Sequence, residues 1–344
     1  MYQKIIFFFF LLNVALTKAN TVSGTVLDSK NQPLSNALVY IDGTTFGTNT
    51  DSKGYFVLNY DYIVDAVLVV SEFYHETVYI SNLESAVQLK MNPKRKSDLW
   101  ETKLNPFTRE DAMNVFREQF LGITDGAKGT KILNEDVIKF AYDKKQNALV
   151  AFANERIKMK NEFLGYDINF ELIEFYTIFS KKSMKREAVA TSHFAGTAFF
   201  TSIQDDDEEK NYDRHRERVY YGTAKHFFRN FIQGKWGEDE FILMEAGARV
   251  VPSESFEIDR SDDFFKIKIK HKESRARGSE ISKNSFKSYN AMFRNKKQSG
   301  LIFRTDEFKI DMFGNHSNAA DIEITGAMQR SLFGNFLPLD YILN

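Results

Sequence analysis

Residues 22–60 read VSGTVLDSKNQPLSNALVYIDGTTFGTNTDSKGYFVLNY. Val22, Gly24 and Val26 alternate with polar neighbours, the two-residue period of a strand with one buried face. Residues 28–33 form a polar cluster ending in Pro33, which cannot donate to a ladder, so the chain turns there. Ala37, Val39 and Ile41 alternate again and stop at Asp42-Gly43, a pair that accepts the positive φ of a tight hairpin. Thr50-Asp51-Ser52-Lys53-Gly54 makes another turn, and residues 55–60 read as the strand after it. Residues 66–71, 76–80 and 86–90 continue the series. About six or seven short strands in about seventy residues predict a small antiparallel sandwich.

Upstream, residues 1–19 carry Lys4, an apolar run over 5–16 broken at Asn13, and small residues near Ala19. This predicts a signal peptide cleaved after Thr17-Lys18-Ala19. An uncleaved anchor is the alternative, but the run is about 12 residues where a membrane span needs about 20. No later segment is long and apolar enough for a transmembrane helix in the mature chain. Cysteine is absent, so no disulfide forms and the expected exported protein is not a lipoprotein. The 46 basic and 47 acidic residues nearly cancel, which gives no reason to expect nucleic-acid or anionic-membrane binding. The 33 Phe and 15 Tyr suit strands and a large aromatic core, with an aromatic ligand platform as the other use.

Downstream, residues 91–96 make a polar linker. Thr108 with Asp111 three positions on predicts a capped helix start, Ala112, Val115, Phe116 and Phe120 its buried stripe, and Gly122 its end. From Ile132 onward strands dominate: 137–142, 148–153, 163–179, 188–203, 240–246, 265–270, 301–304, 308–312 and 321–325. One long helix is expected over 213–233, turning Val219, Ala224, Phe227, Phe228 and Phe231 to a core. The expected organisation is a signal peptide at 1–19, a sandwich at 20–91, a linker and helix at 92–126, and a larger β-rich domain with one or two helices at 127–344.

The segments Ser23-Gly24-Thr25-Val26-Leu27-Asp28, Pro33-Leu34-Ser35-Asn36-Ala37-Leu38-Val39-Tyr40-Ile41 and Thr50-Asp51-Ser52-Lys53-Gly54-Tyr55-Phe56 follow the patterns SGxVxD, PLxxAxVxI and TDxxGxF. In these the stretch resembles the carboxypeptidase-regulatory-like domain, a transthyretin-like (prealbumin-like) module of Bacteroidetes-type envelope proteins. Asn36 and Phe73-Tyr74 depart from the usual Gly and Gly-Tyr. The resemblance implies a seven-stranded β-sandwich in a mainly β protein. FLG (120–122), ILNEDVIKF (132–140), NEFLGYDINFEL (161–172), YYGTAKHFFRNF (220–231) and the terminal LPLDYI resemble an uncharacterised domain that follows this module in flavobacterial envelope proteins. The resemblance places the protein in the periplasm or at the outer membrane. It implies an interaction or structural role beside an envelope protein or outer-membrane receptor. The alternatives are a glycan- or peptide-binding accessory of a TonB-dependent uptake system, or an uncharacterised hydrolase.

Catalytic signatures are missing. None of His75, His193, His215, His226, His271 and His316 is followed by Glu at the spacing zinc carboxypeptidases use, and His75-Glu76 begins a His-Glu-x-x-His pattern that ends at Tyr79. There is no Gly-x-Ser-x-Gly elbow, no phosphate loop and no thiol nucleophile. No enzyme activity, cofactor or metal is therefore expected. The acidic run at 205–209 could hold calcium but lacks the alternating spacing and central Gly of a calcium loop, and reads rather as a solvated loop whose acids favour the start of the next helix. Residues 275–278 read as a flexible loop. Arg214, Arg216, Arg218, Lys225 and Arg229 make the following helix basic, either as a wet face or as a site for an anionic glycan or headgroup. Tyr221, His226 and Arg229 are the candidate binding residues on it.

Overall fold

The computed structural model describes residues 20–81, 83, 86–94, 104, 106–203, 211–270, 286–329 and 332–343. The expected signal peptide, the acidic run at 205–209 and the loop at 275–278 lie outside the described residues.

Strands β1 (Asn20–Asp28), β2 (Leu38–Ile41), β3 (Gly47–Asn49), β4 (Tyr55–Tyr60), β5 (Leu68–Ser71), β6 (Val78–Ile80) and β7 (Ala86–Met91) make two sheets, β4-β1-β7 and β3-β2-β5-β6. Val22, Val26, Phe56, Leu58, Val39, Ile41, Leu68, Val70 and Met91 close a core between them. The turns follow from their acids: the Asp28 carboxylate accepts from the backbone of Lys30 and Gln32, and that of Asp51 accepts from Lys53 and Tyr55. Gly54 closes the second turn at φ +71, with the Val26 carbonyl 2.5 Å from where a Cβ would stand. Two features depart from the sequence reading. β3 was not expected, and β1 pairs with β7 in parallel, because periodicity reports which face is buried and is blind to strand direction.

Helix α1 (Arg109–Phe116) starts at the expected capping box: the Thr108 hydroxyl accepts from Asp111 N–H, and the Asp111 carboxylate accepts from Thr108 N–H. A π-helical turn (Arg117–Leu121) extends it to Gly122, which ends it at φ +94. α2 (Asp125–Lys128) leads into β8 (Thr130–Ile132), β9 (Ile138–Asp143), β10 (Ala148–Ala153), β11 (Ile157–Asn161), β12 (Tyr166–Phe179) and β13 (Val189–Ser202). β12 and β13 form a long hairpin, and the other flank of β12 is shared by β11 along its first half and β10 along its second. Phe116, Phe120, Phe170, Phe175 and Phe333 anchor the core over this sheet.

The remaining elements are α3 (Tyr212–Tyr220), α4 (Ala224–Gln233), β14 (Phe241–Glu245), β15 (Ala248–Arg249), α5 (Pro252–Ser255), β16 (Phe256–Arg260), β17 (Phe264–Ile269), β18 (Lys287–Phe293), β19 (Lys297–Phe303), β20 (Glu307–Asp311) and β21 (Ile322–Gly326). They build sheets β15-β14-β18-β19-β21 and β16-β17-β20 around a third core that takes Phe227, Phe228 and Phe231 from α4. The single helix expected over 213–233 is two. Tyr221 is extended, Gly222 has φ +79, and the Thr223 hydroxyl caps α4 by accepting from His226 N–H. The apolar period runs on through Gly222-Thr223 and hides this stop and restart.

Candidate functional site

Tyr221, His226 and Arg229 gather around this elbow. His226 is 3% exposed and ringed by Tyr220, Tyr221, Phe241 and Phe293 at centroid distances of 5.0, 5.1, 5.0 and 5.3 Å. Its Nδ1 accepts from Gly222 N–H at 3.2 Å, so the ring proton sits on Nε2, 3.3 Å from Glu240 Oε2. That carboxylate is held in turn by Asn230 Nδ2 at 2.8 Å. With both ring nitrogens engaged, His226 has no lone pair left for an incoming ligand. Arg229 carries a buried Nη1 without a partner among the described residues, and it faces Tyr220, whose hydroxyl burial pushes its pKa up. Tyr221 is the accessible member, with the Arg294 guanidinium 4.8 Å above its ring. Glu240 and Arg294 were not foreseen because they come from outside the helix, and Asn230, although on α4, takes its role only from Glu240.

Burial first, then Arg294, Arg229 and Lys235, pushes the His226 pKa from 6.5 down to about 4. Its contact with Glu240 is therefore a hydrogen bond of a neutral ring. A histidine with a depressed folded-state pKa binds its proton more readily once unfolded. Its stability contribution is thus intact above pH 6.5 and is lost as the pH falls towards 4. Going from pH 7 to 4.5 should cost wild type about 1–2 kcal/mol more than it costs His226→Gln, in paired urea titrations. Parallel losses would refute this account of the elbow.

The amino-terminal sandwich does not hang on a tether. The loop after β2 is spliced between β13 and the chain end: Gly43 N–H donates to Ala198 O (2.7 Å), Leu339 N–H to Gly43 O (2.7 Å), Phe200 N–H to Thr44 O (3.0 Å) and Ala198 N–H to Asp42 Oδ1 (2.8 Å). Tyr40 reaches Thr197 Oγ1 at 2.8 Å, and Ser71 and Thr77 both donate to the Glu171 carboxylate. Asp311, fully buried, accepts from Val64 N–H, Phe313 N–H, Asn315 N–H and Asn315 Nδ2 at 2.9–3.1 Å. Lys225 Nζ sits beside it on the carbonyls of Pro338 and Leu339, and burial, against the pull of Asp311 and Asp340, lowers its pKa to about 7.

One turn of the sandwich, flanked by Ser71 and Thr77, exposes two aromatic rings. Between β5 and β6, Phe73 is 50% and Tyr74 70% exposed, with ring centroids 4.7 Å apart at 82°. Their backbone is pinned. Glu72 Oε2 accepts from Tyr74 N–H (2.8 Å) and His75 Nδ1 (2.6 Å), while Lys94 N–H donates to Tyr74 O and Glu76 N–H to Asn92 O. Burial works to raise the Glu72 pKa, but these hydrogen bonds outweigh it and hold the carboxyl below its usual range.

An apolar groove of about 770 Å³ opens beside the end of α4, between β14, β15, α5 and β16. Among the described residues no group of three or more His, Asp or Glu side chains is placed to hold a metal ion.

Residues 22–99 match the family model of the CarboxypepD_reg-like domain, and strands β1–β7 are its β-sandwich. No curated protein matches the sequence. Two solved cohesin–X-dockerin complexes from Acetivibrio cellulolyticus are similar over 21% and 28% of this chain, at 25% and 19% identity and TM-scores of 0.17 and 0.19. The chain spans about half the length of the first (51%) and 72% of the second. A membrane-associated protein of unknown function from Bacteroides fragilis is 11% identical over 55% of this chain and 84% of its own, with a TM-score of 0.18. At these scores the likenesses are local and carry no argument.

Proposed function

We propose that the protein is a non-enzymatic, exported component of the cell envelope, and that its amino-terminal sandwich presents Phe73 and Tyr74 to an envelope protein partner. The observation that carries this reading is that turn: two large rings exposed to water on a backbone fixed by Glu72, His75 and Lys94. Loops that expose aromatic side chains usually forfeit entropy when a partner orders them, and here the ordering is already done. The rings stand at 82°, so they offer a sugar no continuous flat face. A protein pocket can enclose both, which favours a protein over a glycan ligand. An outer-membrane uptake receptor is one partner of this kind. The cluster of Tyr221, His226 and Arg229 then shapes the α3–α4 elbow, with Tyr221 and Arg294 its accessible part.

The test is a crosslinking pulldown from the native envelope with wild type and Phe73→Ser/Tyr74→Ser side by side. A discrete partner captured by wild type and lost with the variant, at unchanged thermal stability, supports the reading. Equal capture by both removes it. Export rests on residues 1–19, and the protein recovered from the envelope should begin at Asn20, the first residue of β1. An amino terminus at Met1 would contradict export with cleavage.

A further inference from the structure

We propose that the groove beside α4 is a binding site for a long-chain carboxylate, with the aliphatic chain in the groove and the carboxylate on Arg249. The two sheets of the carboxy-terminal unit are unequal, and the groove lies between their edge strands, β15 of the five-stranded sheet and β16 of the three-stranded one. Its floor is aromatic: Phe231 packs on Trp236 and Phe256 at 5.5 and 4.9 Å. Its walls leave apolar surface wet, since Val251 is 53% and Ile258 42% exposed, and Ile232, Trp236 and Val250 are only partly covered. A Cβ built on Gly234, at the mouth, would meet nothing within 4 Å. The volume of about 770 Å³ falls in the range of small-molecule sites, about 300–1,000 Å³.

Charge selects the occupant. Arg249 is the one charged side chain among the described lining residues, and it has no ion-pair partner among the described residues. A second cation stands at the same rim, where Lys270 Nζ donates to the carbonyl of Ser253, a lining residue, at 3.0 Å. Of the two β16 acids bordering the groove, Asp259 pairs with Lys268 at 3.5 Å and Glu257 stands opposite Lys268 in the β16–β17 register. A guanidinium fork accepts a carboxylate with two parallel hydrogen bonds. An apolar trough ending at an arginine matches a molecule with one long apolar chain and one anionic head. An extended peptide fits less well, because Pro252 and the acids Glu257 and Asp259 border the β16 edge it would have to pair with.

The groove contains its own reporter in Trp236, and replacing Trp100 by Phe leaves it the only tryptophan. The mature chain in that background is titrated with palmitate and with hexadecanol, both below their aggregation limits, at pH 8. Palmitate should shift Trp236 emission saturably, and Arg249→Gln should weaken it about tenfold or more, to the level of hexadecanol. Val251→Asp, at an exposed position that leaves the fold intact by circular dichroism, should abolish both. An absent or unsaturable change overturns the proposal. So does palmitate binding that is indifferent to Arg249→Gln, or a concentration-dependent dimer that buries Trp236 in place of a ligand.

Discussion

Replacing Asp311 by alanine should destabilise the protein by about 3–5 kcal/mol, the largest single-residue effect expected outside the hydrophobic cores. The carboxylate is fully buried and serves four donors. Alanine offers them nothing, and Val64 and Phe313 are themselves buried. One of the four is Val64 N–H in the amino-terminal sandwich, while Asn315 also donates to Leu339 O near the chain end. Loss should therefore spread beyond the 311–315 turn. Urea unfolding measures the cost, and hydrogen exchange should show lost protection at Val64 and at residues 338–340. A cost below about 1 kcal/mol would mean that the turn holds itself and the junction does not depend on it.

Phe120→Ala should cost about 3–5 kcal/mol by cavity formation. Phe120 is completely buried and meets Phe116, Phe170, Phe194 and Phe333 at centroid distances of 5.1, 4.9, 5.0 and 4.9 Å. These rings come from the helix before the sheet, from both strands of the long hairpin and from the helical turn at Phe333–Asn335. Each of the four rings also packs on a further ring, which limits collapse into the cavity. Phe120→Leu keeps most of the volume and should cost less than half as much. Equal costs for the two variants would show that ring geometry and not volume sets the stability here.

Local chemistry was legible in the sequence. Thr108, Asp111 and Gly122 bound a helix because cap residues act within four positions of where they stand. Asp51 and Gly54 made their turn for the same reason, and the alternation of Val22 and Val26 marked the buried face of β1. The features that depend on residues far apart in sequence were not legible. Asp42-Gly43 reads as a plain hairpin turn, yet Gly43 bonds to Ala198 and Leu339. Glu171 reads as one more exposed strand acid, yet it receives Ser71 and Thr77. Tyr40 and Val69 are fully buried although Val39, Ile41, Leu68 and Val70 already face the sandwich core, because the outer face of that sheet is covered, Tyr40 by Thr197 and Phe199. The candidate residue His226 could be picked from its aromatic and basic surroundings. Its engagement by Gly222 and Glu240 could not, since the first needs the elbow and the second a loop beyond the helix. The groove left even less trace, because Trp236, Val250, Val251 and Ile258 form no pattern until two sheet edges bring them together.

The interaction role of the amino-terminal sandwich is tested most directly by placing a photo-crosslinking amino acid at Phe73 and, separately, at Lys53, an exposed residue of the turn before β4. Both proteins are irradiated in the native envelope and resolved by mass. A discrete adduct from position 73 that is absent from position 53 is the predicted result. Adducts of the same pattern from both positions, or none from 73 while the protein is folded and in the envelope, would contradict the account.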